Sequence, residues 1–122
     1  MKNEGYFDES LTPRIEIPIA GKKVDLVVDT GFNGELMLPG SVLRPLGFSF
    51  SMKSEAELAD GSVVETTIYR GKIGWFGKER TVQAVATESE DGLIGTEMLF
   101  GVTLFMDLDG GQVVVESKEN TG

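Results

Sequence analysis

The run Val27-Val28-Asp29-Thr30-Gly31-Phe32 delivers a carboxylate from the end of an apolar stretch straight onto a glycine-containing bend. A carboxylate at the end of a buried strand is costly unless its charge is paired or hydrogen-bonded, so Asp29 is the first candidate for acid or base chemistry. The same triplet also makes a good strand-ending turn, a purely structural use. Few other chemistries are open. The chain has no Cys and no His, which removes thiol nucleophiles, disulfides, Cys-ligated zinc and a Ser-His-Asp triad. Catalysis must then run on carboxylates, hydroxyls, amines or a borrowed cofactor. Asp107-Leu108-Asp109-Gly110-Gly111 places its glycine too early for a calcium loop and reads as a plain turn. Neither a GxGxxG nor a Walker sequence is present, and no metal or organic cofactor is expected.

Charge narrows the partners. Eleven Lys and Arg against 20 Asp and Glu give a formal charge of −9 over 122 residues, a field that repels polyanions. Nucleic acid is therefore not an expected partner. The cations, among them Arg14, Arg44, Lys53, Arg70 and Arg80, are scattered rather than gathered into a stripe. The most apolar segment, Gly92 to Met106, is interrupted by Thr96, Glu97, Gly101 and Thr103, so no membrane span is expected. A cytoplasmic protein is the simplest reading.

The elements that must hold Asp29 are mostly β-strands. Ile15, Ile17 and Ile19 alternate with polar residues and turn through Ala20-Gly21-Lys22-Lys23 into Val24 to Val28, a hairpin. A second hairpin pivots on Asp60-Gly61, a third near Phe76-Gly77-Lys78, and a fourth runs from Val102-Thr103-Leu104-Phe105-Met106 through Asp109-Gly110-Gly111 to Val113-Val114-Val115. Only two stretches look helical: a turn capped by Ser41 and another capped by Thr96 before Gly101. Four hairpins at regular spacing predict an all-β chain, a small closed barrel or sandwich with one or two short helices. Residues 1–12 read as a mobile N-terminal arm, 13–116 as one domain and 117–122 as a disordered tail.

The order of these elements resembles the retropepsin-like aspartic proteases. The resemblance rests on Asp29-Thr30-Gly31 after an apolar strand, a hairpin about Asp60-Gly61 in the position of a flap, and Leu93-Ile94-Gly95 leading into a short helix. It covers roughly Pro13 to Glu116, and Phe32 after Gly31 is similar to a prokaryotic "DTGF" subgroup. The resemblance implies the acid-protease fold and an aspartic endopeptidase acting on peptide or protein substrates. It also implies roles: Asp29 as the catalytic carboxylate, Thr30 bonding across a dimer axis, Gly31 permitting close backbone approach, and Ala59, Asp60, Gly61 and Ser62 as the flap tip over substrate. The chain holds no second Asp-(Thr/Ser)-Gly, so a paired-carboxylate site implies a homodimer with one Asp29 from each copy. A different class of function keeps the fold without the chemistry, as a dimerisation or peptide-binding module in which Asp29 is a turn residue.

Overall fold

The computed structural model describes residues 1–118. Ten strands and two single-turn helices follow in the order β1 (Lys2–Phe7), β2 (Pro13–Ile19), β3 (Lys22–Val28), β4 (Leu36–Pro39), α1 (Gly40–Leu43), β5 (Ser49–Glu57), β6 (Val63–Trp75), β7 (Lys78–Thr87), β8 (Gly92–Ile94), α2 (Thr96–Leu99), β9 (Val102–Asp107) and β10 (Gln112–Ser117). Period-two alternation does most of the building. Ile15, Ile17 and Ile19 on β2 and Leu26 and Val28 on β3 point inward and are buried, while Glu16 and Pro18 between them face out. Each such isoleucine contributes roughly 1.5–3 kcal/mol by leaving water. Two-residue turns at Ala20-Gly21 and Phe76-Gly77, all four residues in the left-handed region, close the β2–β3 and β6–β7 hairpins with the twist that such tight turns impose. No polar or charged side chain is buried among the described residues.

The strands form one sheet in the order β5-β6-β7-β4-β8-β3-β2-β1-β10-β9. It is open at both ends, which corrects the expectation of a closed barrel. The reason lies in β5, which is constructed as an edge. It carries Lys53, Glu55 and Glu57 and a register shift between Phe50 and Met52, features that discourage further pairing. The sheet instead folds over on itself, so that Pro18 of β2 lies against Gly74 of β6, where a Cβ would come within 2.5 Å of the proline ring.

Residues 2–7 of the expected N-terminal arm form strand β1. Lys2–Gly5 pair with Val113–Glu116 of β10, and Tyr6 and Phe7 then pair with Arg14 and Pro13 of β2, so β1 bridges the two parts of the sheet. Its propensity is poor, and the pairing is supplied by partners at the far end of the chain. An ionic knot locks the turn that follows. Arg14 donates to Asp8 at 2.7 Å, to Asp25 at 3.1 Å and to Asp91 at 3.3 Å, while Tyr6 donates to Asp25. The Asp8 carboxyl also accepts from the backbone of Ser10 and Thr12. Arg14, followed by the Thr12 N–H, holds Asp8 below the usual carboxylate range, and the Asp8 and Asp25 carboxylates hold the guanidinium above its ordinary value. Of the expected C-terminal tail, Ser117 belongs to β10 and residues 119–122 lie outside the described residues.

Candidate active site

Asp29 leaves the end of β3 at the centre of the sheet. Here β8 lies between β3 and β4, parallel to the first (Val28 beside Ile94) and antiparallel to the second (Leu36 beside Ile94). The loop from Asp29 to Glu35 must therefore cross over the end of β8. Three backbone bonds hold the crossing. Asp29 N–H donates to the Ile94 carbonyl at 3.0 Å, Gly95 N–H to the Glu35 carbonyl at 3.0 Å, and Thr96 N–H to the Phe32 carbonyl at 2.8 Å. Gly95 is the wedge under this arch. A Cβ there would sit 2.3 Å from the Gly34 carbonyl oxygen and 2.5 Å from that of Phe32, so no larger residue fits without moving the loop.

Within the loop, the Asp29 carboxylate folds back on its own backbone. Oδ1 accepts the Gly31 N–H at 2.8 Å, and the Phe32 N–H reaches the Asp29 carbonyl at 3.2 Å. Oδ2 has no hydrogen-bond partner among the described residues, which leaves one oxygen of a half-buried carboxylate for an incoming group. Gly31 is needed for closeness rather than for an unusual backbone angle. A Cβ on it would lie 3.2 Å from Asp29 Oδ1. Thr30, between them, is exposed.

The other expected site residues form a separate structure. Ala59, Asp60, Gly61 and Ser62 are the exposed tip of the β5–β6 hairpin. Leu58 N–H donates to the Ser62 carbonyl at 2.7 Å and Gly61 N–H to the Leu58 carbonyl at 2.9 Å. Asp60 Oδ1 accepts both the Ser62 hydroxyl at 2.6 Å and its N–H at 2.9 Å. These bonds hold the Asp60 carboxyl below the usual range. Among the described residues no hydrogen bond joins this tip to the Asp29 loop.

Sequence reading missed Glu35, whose side chain is only 13% exposed. It accepts from Arg80 at 2.9 Å and from the Gln83 N–H at 2.9 Å, while its own carbonyl holds Gly95. The Asp29 loop is thus tied to β7. Nothing in the local sequence signals this, because both partners lie on a strand far along the chain. Thr96 was expected to cap α2 but begins it; its hydroxyl donates to the Phe32 carbonyl at 3.3 Å, and the cap position is Gly95. Similarly, α1 starts at Gly40 after Pro39 instead of after Ser41. Among the described residues no group of three or more acidic side chains is disposed to hold a metal ion, and no helix is long and apolar enough to cross a membrane.

No family model matches the sequence, and no curated protein sequence matches it significantly. Solved structures do. The chain is similar to a retropepsin-like aspartic protease from Rickettsia conorii, with a TM-score of 0.71 at 14% identity over 96% of this chain and 91% of that one. It is also similar to EIAV protease in complex with the inhibitor HBY-793, with a TM-score of 0.58 at 17% identity over 76% of this chain and 89% of that one. With Asp29 on a loop arched over a central strand of an open sheet, the chain has the retropepsin-like fold.

Proposed function

We propose that the protein is an aspartic endopeptidase that hydrolyses peptide bonds with a pair of Asp29 carboxylates, one from each subunit of a homodimer. The observation that carries this reading is the Asp29 loop itself. Its backbone is fixed by Ile94, Gly95 and Thr96, and its carboxylate keeps one oxygen without a hydrogen-bond partner among the described residues. Two such carboxylates a few ångströms apart cannot both ionise and share one proton. The ionised one takes a proton from water as that water attacks the peptide carbonyl carbon, and the protonated one donates to the carbonyl oxygen. Collapse of the resulting diol breaks the C–N bond, with a proton passing to the leaving nitrogen. The pair titrates as a unit. Thr30 bonds across the two-fold axis, Gly31 lets the carboxylate approach its own backbone, and Ala59 to Ser62 close over an extended substrate. The chemistry needs neither metal nor organic cofactor.

Peptide-library cleavage read by mass spectrometry, from acid to neutral pH and at concentrations that favour dimers, tests the reading. Asp29→Asn nearly preserves shape and removes the proton exchange, so its cleavage rate should fall about 10³-fold or more. Cleavage that survives Asp29→Asn unchanged refutes the assignment. Absence of cleavage in both proteins, with dimers present, favours a peptide-binding or dimerisation module.

A further inference from the structure

The loop that carries Asp29 contains a dipeptide that peptide hydrolysis does not use. Asn33-Gly34 lies between Phe32, whose carbonyl takes the Thr96 N–H at 2.8 Å, and Glu35, whose carbonyl takes the Gly95 N–H at 3.0 Å. Packing requires the glycine. A Cβ on Gly34 would lie 2.5 Å from the Phe32 ring, and a Cβ on Gly95 would meet the same ring at 2.6 Å, so the ring occupies the space at both glycines. Nothing comparable fixes Asn33, which is exposed. Among the described residues neither its side-chain amide nor the Gly34 N–H has a hydrogen-bond partner. Asn3 is the opposite case. It sits in β1 opposite Val115, donates its amide to the Glu16 carbonyl at 3.1 Å, and is followed by a glutamate.

We infer that Asn33-Gly34 is a self-modification site, at which the Gly34 nitrogen attacks the Asn33 side-chain amide and so limits the working life of the Asp29 loop. The Gly34 nitrogen loses its proton to hydroxide and bonds to Asn33 Cγ. The Cγ–Nδ2 bond then breaks, ammonia departs, and a cyclic succinimide remains. With no Cβ on Gly34, nothing shields the attacking nitrogen. One solvent water opens the ring. Attack at the side-chain carbonyl gives aspartate, and attack at the main-chain carbonyl gives isoaspartate, in which the chain runs through Cβ and Cγ. Water enters and ammonia leaves, with no oxidant or reductant. Both products alter the loop. Aspartate adds a carboxylate beside those of Asp29 and Glu35. Isoaspartate adds one atom to the main chain, about 1.5 Å, between two anchored carbonyls. The Gly34 and Phe32 carbonyl oxygens already lie 2.3 and 2.5 Å from where a Cβ on Gly95 would be, so the arch has no slack for the added length and must shift. The effect on cleavage rests on the proposed function; the modification itself does not.

Folded protein aged at neutral and at mildly alkaline pH, then digested and read by mass spectrometry, tests the site without reference to activity. Asn33 should gain about 1 Da, faster at the higher pH. It should convert about tenfold or more faster than Asn3, whose strand must open before its amide can react. Methylation by an isoaspartyl methyltransferase then identifies the isoaspartate form among the aged species separated by ion exchange. Asn33→Gln, whose longer side chain cyclises poorly, should gain nothing at that position. The isoaspartate form should unfold at about 1 M less urea than fresh protein, while freshly prepared Asn33→Asp, which carries the charge without the added chain atom, should unfold with wild type. Peptide cleavage should fall about tenfold or more in the isoaspartate form and persist in aged Asn33→Gln. Conversion no faster at Asn33 than at Asn3 overturns the inference, and so does an isoaspartate form with the urea midpoint of fresh protein. Fresh protein that cleaves no peptide counts against the protease reading alone, because the mass and unfolding measurements still decide the modification.

Discussion

Replacing Gly95 by alanine isolates the geometry on which the Asp29 loop depends. Gly95 has φ −106° and ψ −178°, a conformation open to any residue, so the substitution costs nothing in backbone torsion. The cost is steric. The new Cβ meets two backbone carbonyl oxygens at 2.3 and 2.5 Å and the Phe32 ring at 2.6 Å, and neither carbonyl belongs to a flexible side chain that can swing aside. Overpacking of this kind costs about 1–3 kcal/mol. Moving the Phe32 carbonyl also weakens the Thr96 to Phe32 bond, and shifting the Gly34 peptide disturbs the adjoining Gly95 to Glu35 bond, at about 1 kcal/mol each. The expected loss is roughly 3–5 kcal/mol, a large share of the 5–15 kcal/mol typical of a domain. In urea unfolding followed by circular dichroism, this is a drop in midpoint of about 2 M. Gly101→Ala is the control. Gly101 has φ +84° with nothing within 4 Å of the added carbon, so only the left-handed backbone is penalised, at about 1–2 kcal/mol. A Gly95→Ala protein within 1 kcal/mol of wild type, or one more stable than Gly101→Ala, refutes the wedge.

Two further perturbations probe the supports of the site. Asp8 is held low by Arg14 and then by the Thr12 N–H, so it contributes stability above the ordinary carboxylate value of 3.8 and loses it as pH falls through the lower folded value. Thermal melts from pH 7 downward should show wild type losing stability below about pH 4. Arg14→Met should melt lower at neutral pH and fall less steeply in acid; parallel curves would show that the ion pairs contribute nothing. Glu35→Ala removes the partner of Arg80 and the acceptor of the Gln83 N–H and should cost about 2 kcal/mol in chemical denaturation. A double-mutant cycle with Arg80→Ala should return a coupling of about 1 kcal/mol, and a coupling of zero removes the ion pair from the loop's support.

Local turn chemistry was the most legible part of this fold. Ala20-Gly21, Asp60-Gly61, Phe76-Gly77 and Gly110-Gly111 all fall in the hairpin connections that their residue types indicate, because a tight turn is decided by the residues within it. Glycines inside strands were less legible. Gly71 and Gly74 both lie within the thirteen residues of β6. They are there because the Phe48 ring and Pro18 lie directly on them, where a Cβ would approach to 2.5 Å. The strand β1 was hidden for the opposite reason: Lys2-Asn3-Glu4-Gly5 has little β character of its own and is ordered by Val113 to Glu116. In the candidate site, Asp29-Thr30-Gly31 and Leu93-Ile94-Gly95 stood out as apolar runs meeting glycine. Glu35 and the Arg14 knot did not, since ion pairs between distant segments leave no periodic trace.

The parallel ladders beside Asp29 also set the order in which the molecule can be made. Leu26 pairs with Gly92 and Leu36 with Ala84, and Lys2 finds its partner only at Glu116. Such distant pairings bear the entropy of closing long loops before they return any contact, and chains dominated by them fold in about milliseconds to seconds rather than microseconds. During translation the β2–β3 hairpin can form early, but the Asp29 loop then has neither the Ile94 carbonyl nor the Gly95 wedge to settle on. The Asp29 loop can settle into this arrangement only after Ile94 and Gly95 have been synthesised and have docked.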